Sequence, residues 1–328
     1  MARLALIGFG RWGKNIAKTL SHLTGAELAY VCDPHLTEDG LRLSVPNTPL
    51  PKIISLPELY QKQDVDGVLV ATSGSTHFDI ALPFIEKGLP AFIEKPLTTS
   101  LPQAQALESA AQKAQSPVFV GHIHLYNPAY RKVKELLPTL GEIRLLWFES
   151  MNNGPYRSDM SSLWDWAPHD VIMALDLLGQ EPTTIKAWQY NWLRPETNLV
   201  DMTVASLEFT APTKALLQMG WLAPAKRKKL TVIGSQHTLV FDDTATKKIT
   251  LYENLGPAVE AGSGNIASVL PQTPLISYPE IPAGEPLAEE MKAFMVMVDT
   301  RATPPTPISQ GVQVVKIITA IEQAAKST

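Results

Sequence analysis

The first third of the chain alternates short apolar runs with helical patterns. Runs rich in β-branched and aromatic residues lie at residues 2–8, 27–33, 66–72, 90–95 and 117–122, and each predicts a buried strand. Between them, apolar residues recur at helical spacing: helices are predicted at residues 13–23, near 76–86 and near 100–114. Five strands joined by crossover helices predict a doubly wound parallel sheet.

The pattern changes after about residue 124. A helix near residues 128–137 leads into longer runs that are typical of antiparallel strands, at residues 142–150, 184–192, 201–210, 214–222, 229–235, 237–243 and 247–253. A further helix is predicted to begin at Pro168, in its first turn, and to stop at Gly179. Residues 254–286 are rich in Gly and Pro and predict a long loop, and two helices close the chain.

These patterns predict an α/β domain at residues 1–122 and an α+β domain at residues 123–328. The second domain is expected to be built on an open, mostly antiparallel sheet and to serve substrate binding and oligomerisation. The C-terminal helix is a candidate to pack back on the first domain.

Composition narrows the class of protein. The hydrophobic fraction of 45% and the charged fraction of 18% are typical of a globular protein. With 28 basic and 32 acidic residues the net charge is −4, so the chain has no excess of positive charge of the kind that binds nucleic acid. The single cysteine, Cys32, cannot form an intramolecular disulfide, and no apolar run reaches membrane-spanning length. We therefore expect a cytoplasmic protein without nucleic-acid or membrane partners.

The segment GFGRWG lies between the first predicted strand and the first predicted helix. Its glycines, Gly8, Gly10 and Gly13, stand in the G-x-G-x-x-G register. The first permits a tight turn, the second lets the backbone approach a pyrophosphate, and the third lets helix and strand pack closely. In this context the segment predicts a Rossmann-type dinucleotide site, with a glycine-rich turn of no special function as the alternative.

Asp33 stands 25 residues after Gly8, at the end of the second predicted strand. A carboxylate there accepts hydrogen bonds from the adenosine ribose hydroxyls and repels a 2′-phosphate. The sequence therefore favours NAD over NADP, and Arg11 and His35 are the nearby residues that would soften this preference.

Lys95 lies at the carboxyl end of a predicted parallel strand, where open α/β sheets bind ligands. Near a nicotinamide, desolvation and the positive ring would both lower its pKa and make it usable as a proton donor or acceptor. The alternative is a solvated lysine in a loop, which is the commoner fate of a lysine.

The segment WDWAPHD places Asp165 four residues before His169. In the first turn of a helix that Pro168 opens, His169 is expected to stay neutral and to hydrogen-bond a substrate hydroxyl, with Asp165 orienting it or contacting the same hydroxyl. The alternative is a buried histidine that caps local backbone, with Asp165 as a turn residue.

Other features carry weaker signals. Residues 226–229 form a basic run. Such a run is usually a solvent-exposed surface where a strand begins, and the functional alternative is a contact to a substrate diphosphate or carboxylate. Trp166 is a candidate to stack on a sugar, although core packing is the commoner role of a tryptophan. His122 and His124 share one strand face, but no further ligands are recognisable, so no metal site is predicted.

Four segments, GFGRWGKN, ATSGSTH, EKPLTTS and the D-x-A-x-H helix, resemble in order and spacing the Gfo/Idh/MocA oxidoreductases, over the whole chain. The resemblance implies hydride transfer between nicotinamide and a sugar or cyclitol carbon, in a homodimer or homotetramer. It implies Lys95 as the catalytic lysine, with Asp165 and His169 completing the site and Glu94 beside the nicotinamide ribose. The implied cofactor-binding residues are Gly8, Phe9, Gly10, Arg11, Trp12, Gly13, Asp33, Ala71, Thr72, Ser73, Thr76, His77, Glu94 and Lys95.

Finer features resemble one branch of that family, the nucleotide-sugar 3-dehydrogenases. These are HLYNPAYRKVKELL, LWDWAPHD and WLAPAKRKKLTVIGS, with Asn127 and Trp166 as candidate substrate contacts. One departure is Ile172, at a position where many relatives carry an acidic residue, whereas here Asp170 directly follows His169. A free-sugar or inositol dehydrogenase, and a non-catalytic NAD-binding regulator, are the alternatives.

Overall fold

The computed structural model describes residues 1–45, 49–197, 199–210, 212–253 and 275–326. The chain divides into two compact units. The first consists of Met1–Tyr126 and Gly284–Thr319, and the second consists of Asn127–Ala283 and Ala320–Thr328.

The first unit is built on a parallel sheet, six-stranded over the described residues. Its strands are β1 (Ala2–Ile7), β2 (Ala26–Cys32), β3 (Lys52–Ile53), β4 (Gly67–Val70), β5 (Ala91–Glu94) and β6 (Val118–Gly121). The connecting helices are α1 (Arg11–Leu20), α2 (Glu38–Ser44), α3 (Leu56–Tyr60), α4 (His77–Glu86) and α5 (Leu101–Ala114). The spatial order β3-β2-β1-β4-β5-β6 reverses between β1 and β4, which is the doubly wound arrangement that the sequence predicts.

The second unit holds a sheet of eight strands within the described ranges. They are β7 (Ile143–Asn153), β8 (Thr184–Tyr190), β9 (Met202–Glu208), β10 (Lys214–Gly220), β11 (Leu222–Gly234), β12 (Thr238–Asp242), β13 (Ile249–Glu253) and β14 (Leu275–Ser277). Its helices are α6 (Pro128–Leu136) and α7 (Ser162–Leu178). Only the β7–β10 pair is parallel among these strands, so the prediction of a mostly antiparallel sheet is confirmed.

Helices α8 (Pro286–Thr300) and α9 (Ile308–Lys326) close the chain. In the first unit, α8 contributes Met291 and Phe294 to the same buried cluster as Leu4, Phe92 and Ile16. Helix α1 forms because Ile16, Ala17 and Leu20 fall on one face that this cluster buries.

The second sheet has one buried and one open face. Strand β9 alternates buried and half-buried residues along its whole length, and β10 begins with alternating exposed and buried residues. Helix α7 covers the buried face, since it packs on β7, β9 and β10. An alternating pattern of this kind is what a sheet with one solvated face requires.

The start of α7 differs from the prediction. The helix begins at Ser162 rather than at Pro168, which lies in its seventh position. A proline in a helix costs one hydrogen bond and about 3 kcal/mol. Against that cost, the earlier start buries Leu163, Trp164 and Trp166, and a large apolar side chain gains about 1.5–3 kcal/mol when it is buried. The predicted placement of His169 in the first turn is therefore wrong.

Three shorter elements were not predicted. Strand β3 has two residues, and helices α2 and α3 have seven and five, too short for a periodic pattern to form. Most of the predicted loop at residues 254–286 lies outside the described residues, and residues 275–277 form strand β14 rather than loop. Among the described helices, none has both the length and the hydropathy to cross a bilayer.

Candidate functional site

The glycine-rich loop after β1 has the form of a phosphate-binding turn. Gly8 has a φ of +92°, and a Cβ on it would lie 2.7 Å from the carbonyl oxygen of Ala71. A Cβ on Gly13 would lie 2.1 Å from the carbonyl oxygen of Gly8, whereas a Cβ on Gly10 would meet nothing within 4 Å. Gly10 is also the N-cap of α1, where the first backbone N–H groups have no partner inside the helix. The open position and the helix N-terminus together fit an anionic diphosphate.

Asp33 supports this loop directly. One of its carboxylate oxygens accepts from the backbone N–H of Phe9 at 2.7 Å, and the other accepts from the backbone N–H of His35 at 2.8 Å. The carboxylate keeps free lone pairs, because each oxygen can accept two hydrogen bonds. Asp33 therefore braces the loop and can still accept from a ribose hydroxyl.

His77 ties together the loops that follow β4 and β5. It is fully buried, and its ring nitrogens lie 2.9 Å from the carbonyl oxygen of Pro96 and 3.2 Å from that of Thr72. Burial lowers the pKa of His77, so the ring stays neutral. A neutral ring has one N–H, so it donates to one of the two carbonyl oxygens and only packs against the other, and through these contacts His77 holds the loops in place.

The neighbouring loop residues are arranged around the same edge. Thr76 Oγ1 lies 2.8 Å from both Thr72 Oγ1 and the carbonyl oxygen of Ser73. Ala71, Thr72 and Ser73 are half-buried, so this loop keeps part of its surface open at the carboxyl edge of the sheet.

Lys95 and Glu94 end β5 at the same edge. Lys95 is half-buried, whereas Glu94 is 7% exposed and accepts hydrogen bonds from the indole N–H of Trp12 and from the backbone N–H of Lys95. Burial raises the pKa of the Glu94 carboxyl, and the Trp12 hydrogen bond and the Lys95 charge oppose that shift only partly. The carboxyl edge of the sheet therefore carries a carboxyl group whose pKa is raised towards neutrality, to about 7.

His122 is a buried neighbour of Lys95. Strand pairing places Glu94 beside Gly121, so the next residues along the two strands, Lys95 and His122, follow side by side. Burial and then the Lys95 charge lower the pKa of His122 to about 3, so its ring is neutral. The sequence indicated only that His122 and His124 share one face of a strand. Glu290 on α8, which is fully buried, was not singled out at all.

In the second unit, Asp165 and His169 lie one turn apart on α7, and both are half-buried. Asp165 lies 3.6 Å from the Arg157 guanidinium and accepts from the indole N–H of Trp221 at 3.4 Å. These two partners hold the Asp165 carboxylate in a fixed place beside His169. Arg157 carries no motif signal in the sequence, and Trp221 is the first residue of the segment WLAPAKRKKLTVIGS, where no role was predicted for it.

Asp170, which directly follows His169, points into the unit instead. It is 1% exposed and accepts from the hydroxyl of Ser150 at 2.7 Å. Burial raises the pKa of Asp170 to about 7, and the Ser150 hydrogen bond and the charge of Lys228 oppose the shift. Asp170 thus belongs to the buried layer between α7 and the sheet.

Strand alternation divides the basic run of residues 226–229. Arg227 and Lys229 pair with Glu149, at 2.9 and 3.7 Å. Lys228 points to the other face and lies over the ring of Trp166, 5.8 Å from its centroid. Trp166 itself is 8% exposed, so most of its surface is used in packing.

Asn127 has a structural role at the start of α6. Its side-chain oxygen accepts from the backbone N–H of Ala129 at 2.9 Å, and its amide nitrogen lies 3.3 Å from Asp243. Both ends of the amide are therefore engaged by the protein, in a residue that is 8% exposed.

The glycine loop, the acidic end of β2 and the lysine at the carboxyl edge define an NAD-binding oxidoreductase of the Rossmann type. Family models agree: residues 2–122 match the family described as "Oxidoreductase family, NAD-binding Rossmann fold", and residues 130–240 match the "GFO/IDH/MocA C-terminal domain". The chain belongs to the Gfo/Idh/MocA oxidoreductase family.

Individual relatives support the assignment. A crystal structure of a protein assigned as an oxidoreductase, from Magnetospirillum magnetotacticum, is 32% identical with a TM-score of 0.82, and the match covers 97% of this chain and 99% of that one. UDP-N-acetylglucosamine 3-dehydrogenase of Acidithiobacillus ferrooxidans is 30% identical over 51% of this chain and 53% of its own length. Myo-inositol 2-dehydrogenase of Thermotoga maritima is 25% identical over 77% of this chain and 79% of its own. These alignments thus span about half to four fifths of the curated relatives.

Proposed function

We propose that the protein transfers a hydride between NAD and a secondary alcohol or ketone of a sugar, as a nucleotide-sugar 3-dehydrogenase. The observation that carries the proposal is the open position at Gly10, at the head of a helix, on the same sheet edge that presents Lys95. When bound there, the nicotinamide supplies or accepts the hydride.

NAD is proposed over NADP because of Asp33. Its carboxylate lies at the end of β2 with lone pairs available, where it would accept from ribose hydroxyls and repel a 2′-phosphate. Arg11 is exposed on the first turn of α1, and it is the residue most able to soften this preference.

Lys95 and His169 are the two candidates for the residue that takes the proton from the substrate hydroxyl. Lys95 is half-buried at the carboxyl end of β5 in the first unit, with His122 beside it. His169 has its neighbour Asp165 held by Arg157 and Trp221 in the second unit, an arrangement that would orient the imidazole.

The nucleotide-sugar assignment rests on two features. The activity named for the Acidithiobacillus relative is one, and Lys228 is the other, since it stands on the α7 side of the sheet, over Trp166. Arg227 and Lys229 form ion pairs with Glu149 and are not proposed as substrate contacts. A free-sugar or inositol dehydrogenase is the second candidate, because the Thermotoga alignment covers more of the chain.

We further propose a homodimer or homotetramer formed through the open face of the second sheet. In the single chain this face exposes Trp147, Trp188 and Leu216, each at 37–41%. Leu216 and Trp147 are direct neighbours on paired strands, so the apolar surface is continuous there. Exposed apolar patches of this kind usually mark an interface.

The test is the absorbance change of NADH with purified protein across nucleotide sugars, uronates, free sugars, inositols and their keto forms. Turnover confined to nucleotide sugars, and lost in Lys95→Ala, is the expected result. Turnover only on free polyols would support an oxidoreductase activity and reject the nucleotide-sugar assignment. NAD binding without turnover on any substrate class would favour a regulatory protein.

A further inference from the structure

Glu290 is a fully buried carboxyl group inside the nucleotide-binding unit. It lies on α8 between Leu287 and Met291, which are also buried, and its exposed fraction is 0%. Neither of its carboxyl oxygens has a hydrogen-bond partner among the described residues. Burying a polar group without a partner is unfavourable, so packing alone does not account for a glutamate at this place.

The geometry of α8 places Glu290 level with Glu94. Phe294 packs edge-to-face on Phe92 of β5, with ring centroids 5.7 Å apart. From Phe92, Glu94 is two residues further towards the carboxyl end of the strand, a step of about 6.6 Å on the same face. From Phe294, Glu290 is one helical turn towards the N-terminus of α8, a step of about 5.4 Å.

The two steps run in the same direction. Val298, one turn beyond Phe294, lies at the opposite end of the sheet, where a Cβ on Gly67 at the start of β4 would be 2.9 Å from its methyl group. Helix α8 therefore runs against the strands, and its N-terminal half approaches the carboxyl edge. The face of β5 is the same for both residues, since a Cβ on Gly121 would contact both Phe92 and Glu94.

Few other titratable groups surround the pair. Glu94 receives a hydrogen bond from Trp12 on α1 and has Lys95 as its neighbour on β5. The short 3₁₀ helix Ile123–Tyr126, which packs on α8, carries the buried His124 and the buried Tyr126 hydroxyl. The charged residues of α1 are exposed and point to solvent: Arg11, Lys14 and Lys18.

Two carboxyl groups in one apolar layer do not both ionise readily. Burial, and after it the negative charge of Glu94, hold the pKa of Glu290 well above its usual range. This direction favours the neutral carboxylic acid, which has an O–H group to donate. The acceptor of matching chemistry on the facing strand is the Glu94 carboxylate.

We propose that Glu290 is a positioning residue for Glu94: it stays protonated between α8 and the sheet, and it donates its O–H to the Glu94 carboxylate when that carboxylate faces the positive ring of NAD⁺. The inference rests on the proposed function and on the place that the family resemblance implies for Glu94, beside the nicotinamide ribose. Glu290 keeps its proton throughout. The proton that leaves Glu94 when NAD⁺ binds passes to solvent. NADH, whose ring is neutral, causes little such release.

The test is calorimetry of NAD⁺ and NADH binding in two buffers of different ionisation enthalpy, which counts the protons released. Wild-type protein is expected to release part of a proton with NAD⁺ and almost none with NADH near neutral pH. Glu290→Gln keeps a donor and is expected to bind NAD⁺ within about threefold of wild type, whereas Glu290→Met should lose about tenfold or more for NAD⁺, with less proton release and little loss for NADH. Glu289→Gln, on the same helix and half-buried against Lys292, is the matched control.

Infrared spectroscopy tests the protonation of Glu290 without a binding measurement. Asp170 and Glu94 also contribute to the infrared carbonyl stretch of protonated carboxylic acids at neutral pH, so the signal of Glu290 is the component that the wild type has and Glu290→Gln lacks in a difference spectrum. An acid band that is the same in both proteins would overturn the inference, and so would wild-type NAD⁺ affinity in a folded Glu290→Met. Glu94→Gln separates the two proposals. If it leaves NAD⁺ affinity and proton release unchanged, the cofactor role of Glu94 fails, whereas loss in Glu94→Gln with no loss in Glu290→Met rejects only the role of Glu290.

Discussion

The carboxylate of Asp33 and the backbone N–H of Phe9 are joined by a hydrogen bond of 2.7 Å, which links the end of β2 to the glycine loop after β1. The residue proposed to read the ribose therefore also holds the loop that is proposed to bind the diphosphate. Substitutions at Asp33 must separate these two roles.

Asp33→Asn keeps an oxygen for the Phe9 N–H and removes the charge. We expect it to weaken NAD by about tenfold while improving the ratio of NADP to NAD affinity, because the repulsion of a 2′-phosphate is gone. Asp33→Ala also removes the brace and should weaken both cofactors, NAD the more. Dissociation constants for both cofactors check this, and equal losses for NAD and NADP would mean that Asp33 acts only as a brace.

Gly13→Ala and Gly10→Ala form a matched pair. At Gly13 the new methyl group would lie 2.1 Å from a carbonyl oxygen, so the loop must shift, and we expect a loss of about 1–3 kcal/mol in unfolding free energy. At Gly10 the methyl group meets nothing within 4 Å, so stability should stay within about 0.5 kcal/mol while NAD affinity falls. Denaturant unfolding and NAD titration measure the two effects. Normal NAD affinity in Gly10→Ala would argue against the close approach of a diphosphate there.

His122 should make the protein sensitive to acid. Its folded pKa is about 3, so below the ordinary histidine value near 6.5 the unfolded chain binds a proton that the folded chain does not. The stability that depends on neutral His122 is present above that value and is lost, by up to about 1.4 kcal/mol per pH unit, as the pH falls towards 3. His122→Gln removes the part of this slope that comes from His122, while the part that comes from buried His77 remains. Unfolding curves at several pH values would detect the difference. The exposed His35, changed to Gln, is the control and should leave the slope as in wild type.

The sequence predicted the parallel sheet, the glycine loop and Asp33 because their signals are local: a strand, a turn and a helix follow each other within one βαβ unit. It misplaced the start of α7 because a proline at a first helical turn and a proline inside a helix look alike until the burial of Leu163 and Trp164 is known. Glu290 could not be found in this way. Its significance comes from facing Glu94, almost two hundred residues away in the sequence, and no local pattern carries that relationship.

Lys95 and His169 are distinguished by their substitutions and pH profiles. Lys95→Arg keeps a positive charge but cannot give up a proton, so we expect NAD binding to persist while kcat falls by about 10²–10⁴-fold, if Lys95 is the base. His169→Asn keeps hydrogen-bonding capacity at the ring position without a titrating group. The variant that both loses kcat and removes the acidic limb of the kcat profile identifies the base. Retention of wild-type kcat in Lys95→Arg would assign Lys95 to binding only.

The open face of the second sheet gives the last prediction. Leu216→Glu puts a charge beside Trp147, on the strand paired with it, and Trp188→Glu puts one two strands away from Leu216 on the same apolar face. If this face joins protomers, the double variant should sediment as a monomer while its unfolding free energy changes by less than about 1 kcal/mol, because both side chains are already partly exposed in the single chain. Analytical ultracentrifugation measures the mass directly. The control is Leu43→Glu, on exposed α2 of the other unit, which should leave the mass unchanged. If the double variant keeps the wild-type mass, the protomers associate through another surface. If the wild type is itself a monomer, this face does not join protomers, and its exposed tryptophans would contact a different partner.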